Sequence, residues 1–152
     1  YGHAYISNGP FFISKIDSKA NYIELSAFKD YSESAKYWIE KLSTKMSRIE
    51  DIEYPSIVNK NEDMNINIYV SSYDYPNNNL ELPDENTKVK VLLQLQKGGE
   101  IEYNANLEGE VFKLTIPKKD LSNLSAGEYI IVFESFIADE SPSIETRSFV
   151  LR

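Results

Sequence analysis

The chain has 152 residues, no cysteine, and 24 acidic against 16 basic side chains, for a formal net charge of −8. Without thiols there are no disulfides and no thiolate metal sites, and no apolar run approaches the ~20 residues of a membrane-spanning helix. Residues 1–48 carry seven Lys/Arg and five Asp/Glu, and residues 49–152 carry nine and nineteen, an acidity that argues against nucleic-acid partners and anionic membrane.

Residues 1–8 read as a short strand and Gly9-Pro10 as a turn. Two apolar-rich runs, 11–16 and 22–28, flank the polar connector Asp17-Ser18-Lys19-Ala20-Asn21 and form a hairpin. In the second run Tyr22, Glu24, Ser26 and Phe28 alternate with Ile23, Leu25 and Ala27. Such a hairpin is marginal alone and needs something to pack on.

Asp30 and Glu33 have capping-box spacing. Ala35, Trp38, Ile39, Leu42 and Met46 then recur at helical spacing, which predicts a helix over 32–46 with Trp38 anchoring its buried face. Near Met46 to Asp51 the periodicity turns extended. The spacing therefore predicts two parts: 1–48, a β-hairpin and short helix, and 49–152, a β-sandwich.

Ile49, Ile52, Tyr54 and Ile57 surround Pro55. A proline in a strand marks an edge or a break, which suits a first sandwich strand that switches sheets. Met64, Ile66, Ile68 and Val70 alternate with Asn65, Asn67 and Tyr69 as a half-buried strand. Residues 71–86 read as a connector too long for a hairpin loop, hence mobile or functional. Val89, Val91, Leu93 and Leu95 share one face of the next strand, Gly98-Gly99 supplies a tight turn, and 100–106 is the antiparallel partner. Gly109 sits in the following turn, and Phe112, Leu114 and Ile116 point inward. Pro117 ends that strand, and 118–125 forms a helical turn across the end of the sandwich.

The polar turn at 121–128, with Gly127, leads into a strand whose first inward residue is Tyr129. In Greek-key sandwiches a tyrosine at this place bonds its hydroxyl back to the preceding corner. Leu124, Tyr129, Ile131 and Phe133 form the expected core here. A loop at 138–143 and a last strand at 144–151 bring the count to seven strands after residue 48. The fold class is mainly β: an immunoglobulin/fibronectin-III-like Greek-key sandwich preceded by a hairpin and one helix.

Searching for chemistry yields no catalytic, cofactor-binding or metal-ligating nominations. His3 is the only histidine, so a catalytic triad or His-rich metal site has no support. Acids cluster at Glu50-Asp51-Glu53, Asp84-Glu85 and Asp139-Glu140, without the alternating oxygens of a calcium loop. Of the eleven tyrosines, Tyr73 and Tyr75 border the long connector and are the candidate partner contacts; Gly127 and Tyr129 are structural. Asn123-Leu124-Ser125 is a glycosylation sequon if the protein is secreted.

Two stretches carry a family resemblance: Gly2-His3-Ala4-Tyr5-Ile6-Ser7-Asn8-Gly9-Pro10-Phe11-Phe12-Ile13, and Tyr22-Ile23-Glu24-Leu25-Ser26-Ala27-Phe28-Lys29-Asp30-Tyr31. Together they resemble the closing segment of oligopeptide-type ABC importer solute-binding proteins, especially archaeal ones, in which a further β-sandwich often follows. Many relatives continue from here through a Pro-containing loop, where this chain has a helical pattern. The resemblance implies an extracytoplasmic, membrane-tethered protein for peptide uptake. Its ligand-binding residues lie upstream, so none is carried over. Tyr1 in place of Met, and an end directly after a strand-like run, read as a fragment of such a protein.

The expected role is a non-catalytic spacer whose partners are the upstream lobes of the same chain and, indirectly, the ABC permease. The hairpin either docks on the helix and sandwich or pairs with a second chain through its edges, giving a dimer. Two other readings stand beside this one: a cell-surface or S-layer adhesion module, and an accessory domain of a secreted hydrolase.

Overall fold

The computed structural model describes residues 4–5, 11–27, 35–76, 78–138 and 140–152. The chain divides into two compact units, Tyr1–Leu42 and Ser43–Arg152. The division falls six residues before the expected boundary at 48.

In the first unit, β1 (Ala4–Tyr5), β2 (Phe11–Asp17) and β3 (Tyr22–Ala27) form an antiparallel sheet in that order. The β2–β3 turn closes where Asp17 Oδ1 accepts from the backbone N–H groups of Lys19 and Ala20 at 3.0 and 3.1 Å. Asn21 takes a φ of 50° there, a left-handed conformation that asparagine tolerates. Phe11, Ile16, Tyr22, Ile23 and Leu25 are 49–62% exposed. Phe11, Ile16, Ile23 and Leu25 share one face of the hairpin, and Tyr22 lies on the other beside Asp17 and Glu24, so the apolar face stands open.

The helix α1 runs Ala35–Leu42 and ends four residues before the expected end at 46, while 32–34 lie outside the described residues. It stops because Thr44, Lys45 and Met46 pair with Tyr75, Asp74 and Tyr73 on a distant strand, and a strand partner outweighs one more helical turn. Trp38 does not anchor a buried face. It is 40% exposed and meets Tyr37 edge-to-face at 5.3 Å, while Lys41 lies 5.7 Å from the Tyr37 ring. The expected cap at Asp30 and Glu33, along with Phe28, His3 and Asn8-Gly9-Pro10, lies outside the described residues.

The second unit contains β4 (Thr44–Glu53), β5 (Ile57–Val58), β6 (Met64–Tyr75), β7 (Leu80–Glu81), β8 (Thr87–Gln94), β9 (Glu100–Glu108), β10 (Val111–Ile116), α2 (Lys118–Ser122), β11 (Gly127–Ile137) and β12 (Ser143–Leu151). Among the described residues these are nine strands, where seven were expected. The additions are the two-residue strands β5 and β7. The strands form one curled sheet in the order β4-β6-β10-β9-β8-β11-β12-β5, with β7 on β6. Strand β9 joins the halves, pairing with β10 near Glu108 and with β8 from Glu100 to Ala105. Pro55 separates β4, antiparallel to β6, from β5, parallel to β12. The first strand therefore passes from one edge of the curled sheet to the other at its proline.

Alternation decides the core. Along β6, Met64, Ile66, Ile68 and Val70 are buried, and they face Val89, Val91, Leu93, Ile131, Phe133, Phe149 and Leu151 from the other half. Burying each such side chain contributes about 1.5–3 kcal/mol. Leu121, from α2, closes one end with no exposure, and Leu124 packs partly buried against the same cluster. At the other end the inner face turns polar: Ser47, Ser72, Thr87 and Ser135 are buried.

Candidate functional site

The segment expected as a connector over 71–86 is largely structured, because β6 continues through Tyr75 and β7 folds back on it. Ser72 pairs with Glu81 and Tyr73 with Leu80, and the Ser72 hydroxyl donates to the Leu82 carbonyl at 2.7 Å. Lys45 Nζ reaches Glu81 at 3.3 Å and Asp84 at 3.7 Å. Asp84 Oδ1 accepts from the backbone and side-chain nitrogens of Asn86 at 2.8 and 3.0 Å. These Asn86 bonds, first through its backbone N–H, and the nearby Lys45 hold the Asp84 carboxyl below the usual range; the Glu81 hydrogen bond raises Lys45.

Tyr73 is half-buried between Met46 and Leu80, its register partners. Tyr75 is exposed, next to a cis peptide to Pro76. Leu80 and Leu82 are exposed as well. The nominated tyrosines thus occupy different environments, and the open apolar surface here consists of Tyr75, Leu80 and Leu82.

The acid clusters are divided among separate tasks. A β4 bulge between Ile49 and Asp51 turns both Glu50 and Asp51 outward. Glu50 takes Arg48 at 3.0 Å and the Ser71 hydroxyl at 2.6 Å. Asp51 accepts from the Ile52 N–H at 2.8 Å. Glu53 accepts from Asn67 Nδ2 at 3.1 Å and the Tyr69 hydroxyl at 2.9 Å, which raises the Tyr69 pKa. Asp139 lies outside the described residues. Among the described residues no three metal-ligating side chains converge.

The Tyr129 hydroxyl donates to the Ser125 carbonyl at 2.9 Å, and its ring stacks on Phe149 at 5.8 Å. Gly127 has a φ of 148°, and a Cβ there would meet the Gln96 amide nitrogen at 2.5 Å. The corner is a brace. Leu95, Gln96, Lys97, Asn123 and Leu124 border an open depression beside it, with Asn123 Nδ2 already donating to the Lys119 carbonyl at 2.9 Å. Nearby, Tyr103 donates to Asp120 at 3.0 Å; burial, then this bond, pushes the phenol pKa well up. A second open depression is ringed by Lys60, Asn61, Lys118, Lys119 and Ser122. Its Lys60 amine is committed to the Leu124 carbonyl. Neither depression assembles a nucleophile with a base.

The strand order, the parallel β5–β12 pair and the Tyr129 corner define an immunoglobulin-like β-sandwich. No protein-family model and no curated protein sequence matches the chain. Among solved structures, CopC from Methylosinus trichosporium OB3b is similar at 12% identity, with 69% of this chain and 92% of that one covered and a TM-score of 0.40. A CARDB domain from Pyrococcus furiosus, in complex with di-metal ions, matches at 14% identity, 72% and 93% coverage and a TM-score of 0.43. A β-glucosidase from Listeria innocua, in complex with isofagomine, matches at 11% identity over 72% of this chain and 16% of its own, with a TM-score of 0.40.

Proposed function

We propose that the sandwich is a non-catalytic accessory module and that Tyr1–Leu42 is the closing piece of a larger folded body, an extracytoplasmic peptide-binding protein of an ABC importer. One observation carries the division of labour: Phe11, Ile16, Ile23 and Leu25 stand exposed together on one face of the hairpin, whereas the sandwich closes its own core. An open apolar sheet face calls for a second layer from the rest of a folded domain. The resemblance of residues 2–13 and 22–31 to the closing segment of peptide-binding proteins supports the choice of body. The sandwich then spaces the binding lobes from the membrane or packs against them.

The test is excision of residues 43–152 from the full-length protein, followed by calorimetric titration with peptides. Unchanged peptide affinity is the expected result. Loss of binding with the lobes still folded would overturn the spacer role.

The second reading, an adhesion module, draws on the exposed Tyr75, Leu80 and Leu82 beside the β6–β7 turn. It requires that replacing Tyr75 weaken cell-surface attachment while leaving the circular dichroism spectrum intact.

A further inference from the structure

The end of the sandwich beneath the β6–β7 turn is built from small hydroxyl side chains. Ser47 stands opposite Ser72 in the β4–β6 register. Ser135 stands opposite Ser143 on one side and Val89 on the other. Thr87 is opposite Ile137 on the same strand pair, which makes it the diagonal neighbour of Ser135 at about 7–8 Å between Cα atoms. The two halves meet where the Ile49 backbone N–H donates to the Ser143 hydroxyl at 3.2 Å, joining β4 to β12. That bond brings the Ser47–Ser72 and Ser135–Ser143 pairs to the same end of the core.

Ser47, Thr87 and Ser135 are 4%, 7% and 0% exposed, and among the described residues none of their hydroxyls has a hydrogen-bond partner. Ser72 differs, being tied to the Leu82 carbonyl. Buried hydroxyls of native domains bond to protein or to ordered water. Three left dry would consume much of a domain's net stability. One layer further in, the equivalent positions on β4, β6 and β11 are Ile49, Val70 and Phe133, all larger than serine.

We infer that this end of the core is a water-binding site, in which ordered internal water bridges the hydroxyls of Ser47, Thr87 and Ser135. Each hydroxyl both donates and accepts, and an internal water needs two to four polar partners. The lining supplies three. Water is the ligand because the set consists of neutral hydroxyls, with no charge and no imidazole or thiolate.

The sign of a stability change tests the inference. Thr87→Val keeps the branched shape and removes only the hydroxyl. In urea denaturation of the 152-residue chain it is expected to lower the folding equilibrium constant about five- to tenfold. Ser135→Ala is expected to act similarly, and the double variant to lose less than the product of the two, since either change already frees the water. A dry site gives the opposite sign, because valine then relieves an unpaired hydroxyl. An unchanged or raised constant for Thr87→Val overturns the inference. Water–protein cross-relaxation by NMR is the second readout: long-lived water signals to protons of Ser47, Thr87 and Ser135 are expected, and their absence overturns it equally.

Discussion

The two units of this chain use apolar residues in opposite ways. In Ser43–Arg152 the strand alternation is converted into burial: Ile68, Val91, Leu93, Ile116, Ile131 and Phe133 have no exposed surface. In Tyr1–Leu42 similar residue types, Ile16, Ile23, Leu25 and Leu42, remain more than half exposed. The difference lies in the number of layers. A curled nine-stranded sheet faces itself, while the three-stranded sheet, among the described residues, is a single layer whose apolar face stays open. Hydrophobic pattern indicates which side chains seek burial; the supply of a second layer decides whether they find it.

The sharpest way to break this comparison is to remove one ring from each unit. Phe133→Ala should destabilise the sandwich by about 3–5 kcal/mol, read as a lower urea midpoint by circular dichroism. Trp38→Ala in the same chain should stay within about 0.5 kcal/mol, and a larger effect would reveal a hidden core around α1. Next in size is the corner: Tyr129→Phe removes one hydrogen bond while keeping the stack on Phe149, a loss of about 1 kcal/mol. If this variant is neutral, the corner contributes shape only.

The smallest effect concerns pH and stays local. Asp84 has a folded pKa below its ordinary value of 3.8. Its contribution is therefore complete above the unfolded value and disappears as pH falls through the folded one. Hydrogen exchange at the Ser72 and Tyr73 amides should accelerate in that acid window, and Asp84→Asn should abolish the step.

Much of the sandwich was legible because its signals are local. The alternation from Met64 to Val70 and from Val89 to Leu93, the Gly98-Gly99 turn and the Pro55 break each sit within a few residues of sequence. Both glycines take positive φ, 86° and 88°, and Leu95 N–H bonds to the Gly99 carbonyl at 3.0 Å. The helix end was not legible, since Thr44 to Met46 look helical until Tyr73 to Tyr75 are brought beside them. Nor were β5 and β7, which are too short to show a period. Trp38 at helical spacing says only that one face is apolar. The candidate sites were harder still. Glu50, Asp51 and Glu53 look like one cluster in sequence, yet a bulge and three different partners separate them. The hydroxyl lining draws on β4, β6, β8, β11 and β12, and no window of sequence contains it.

The split first strand has a mechanical consequence. Between Ser43 and Arg152, β4 is antiparallel to β6 and β5 is parallel to β12. Val150 and Arg152 donate to the Ser56 and Val58 carbonyls at 2.9 Å each, and the Lys60 N–H donates to Arg152 at 3.0 Å. A tension that draws Ser43 away from Arg152 is met first by the β4–β6 ladder, and the part that reaches β5 pulls it backward against a forward-drawn β12. The three bonds are then loaded together in shear instead of being unzipped in turn.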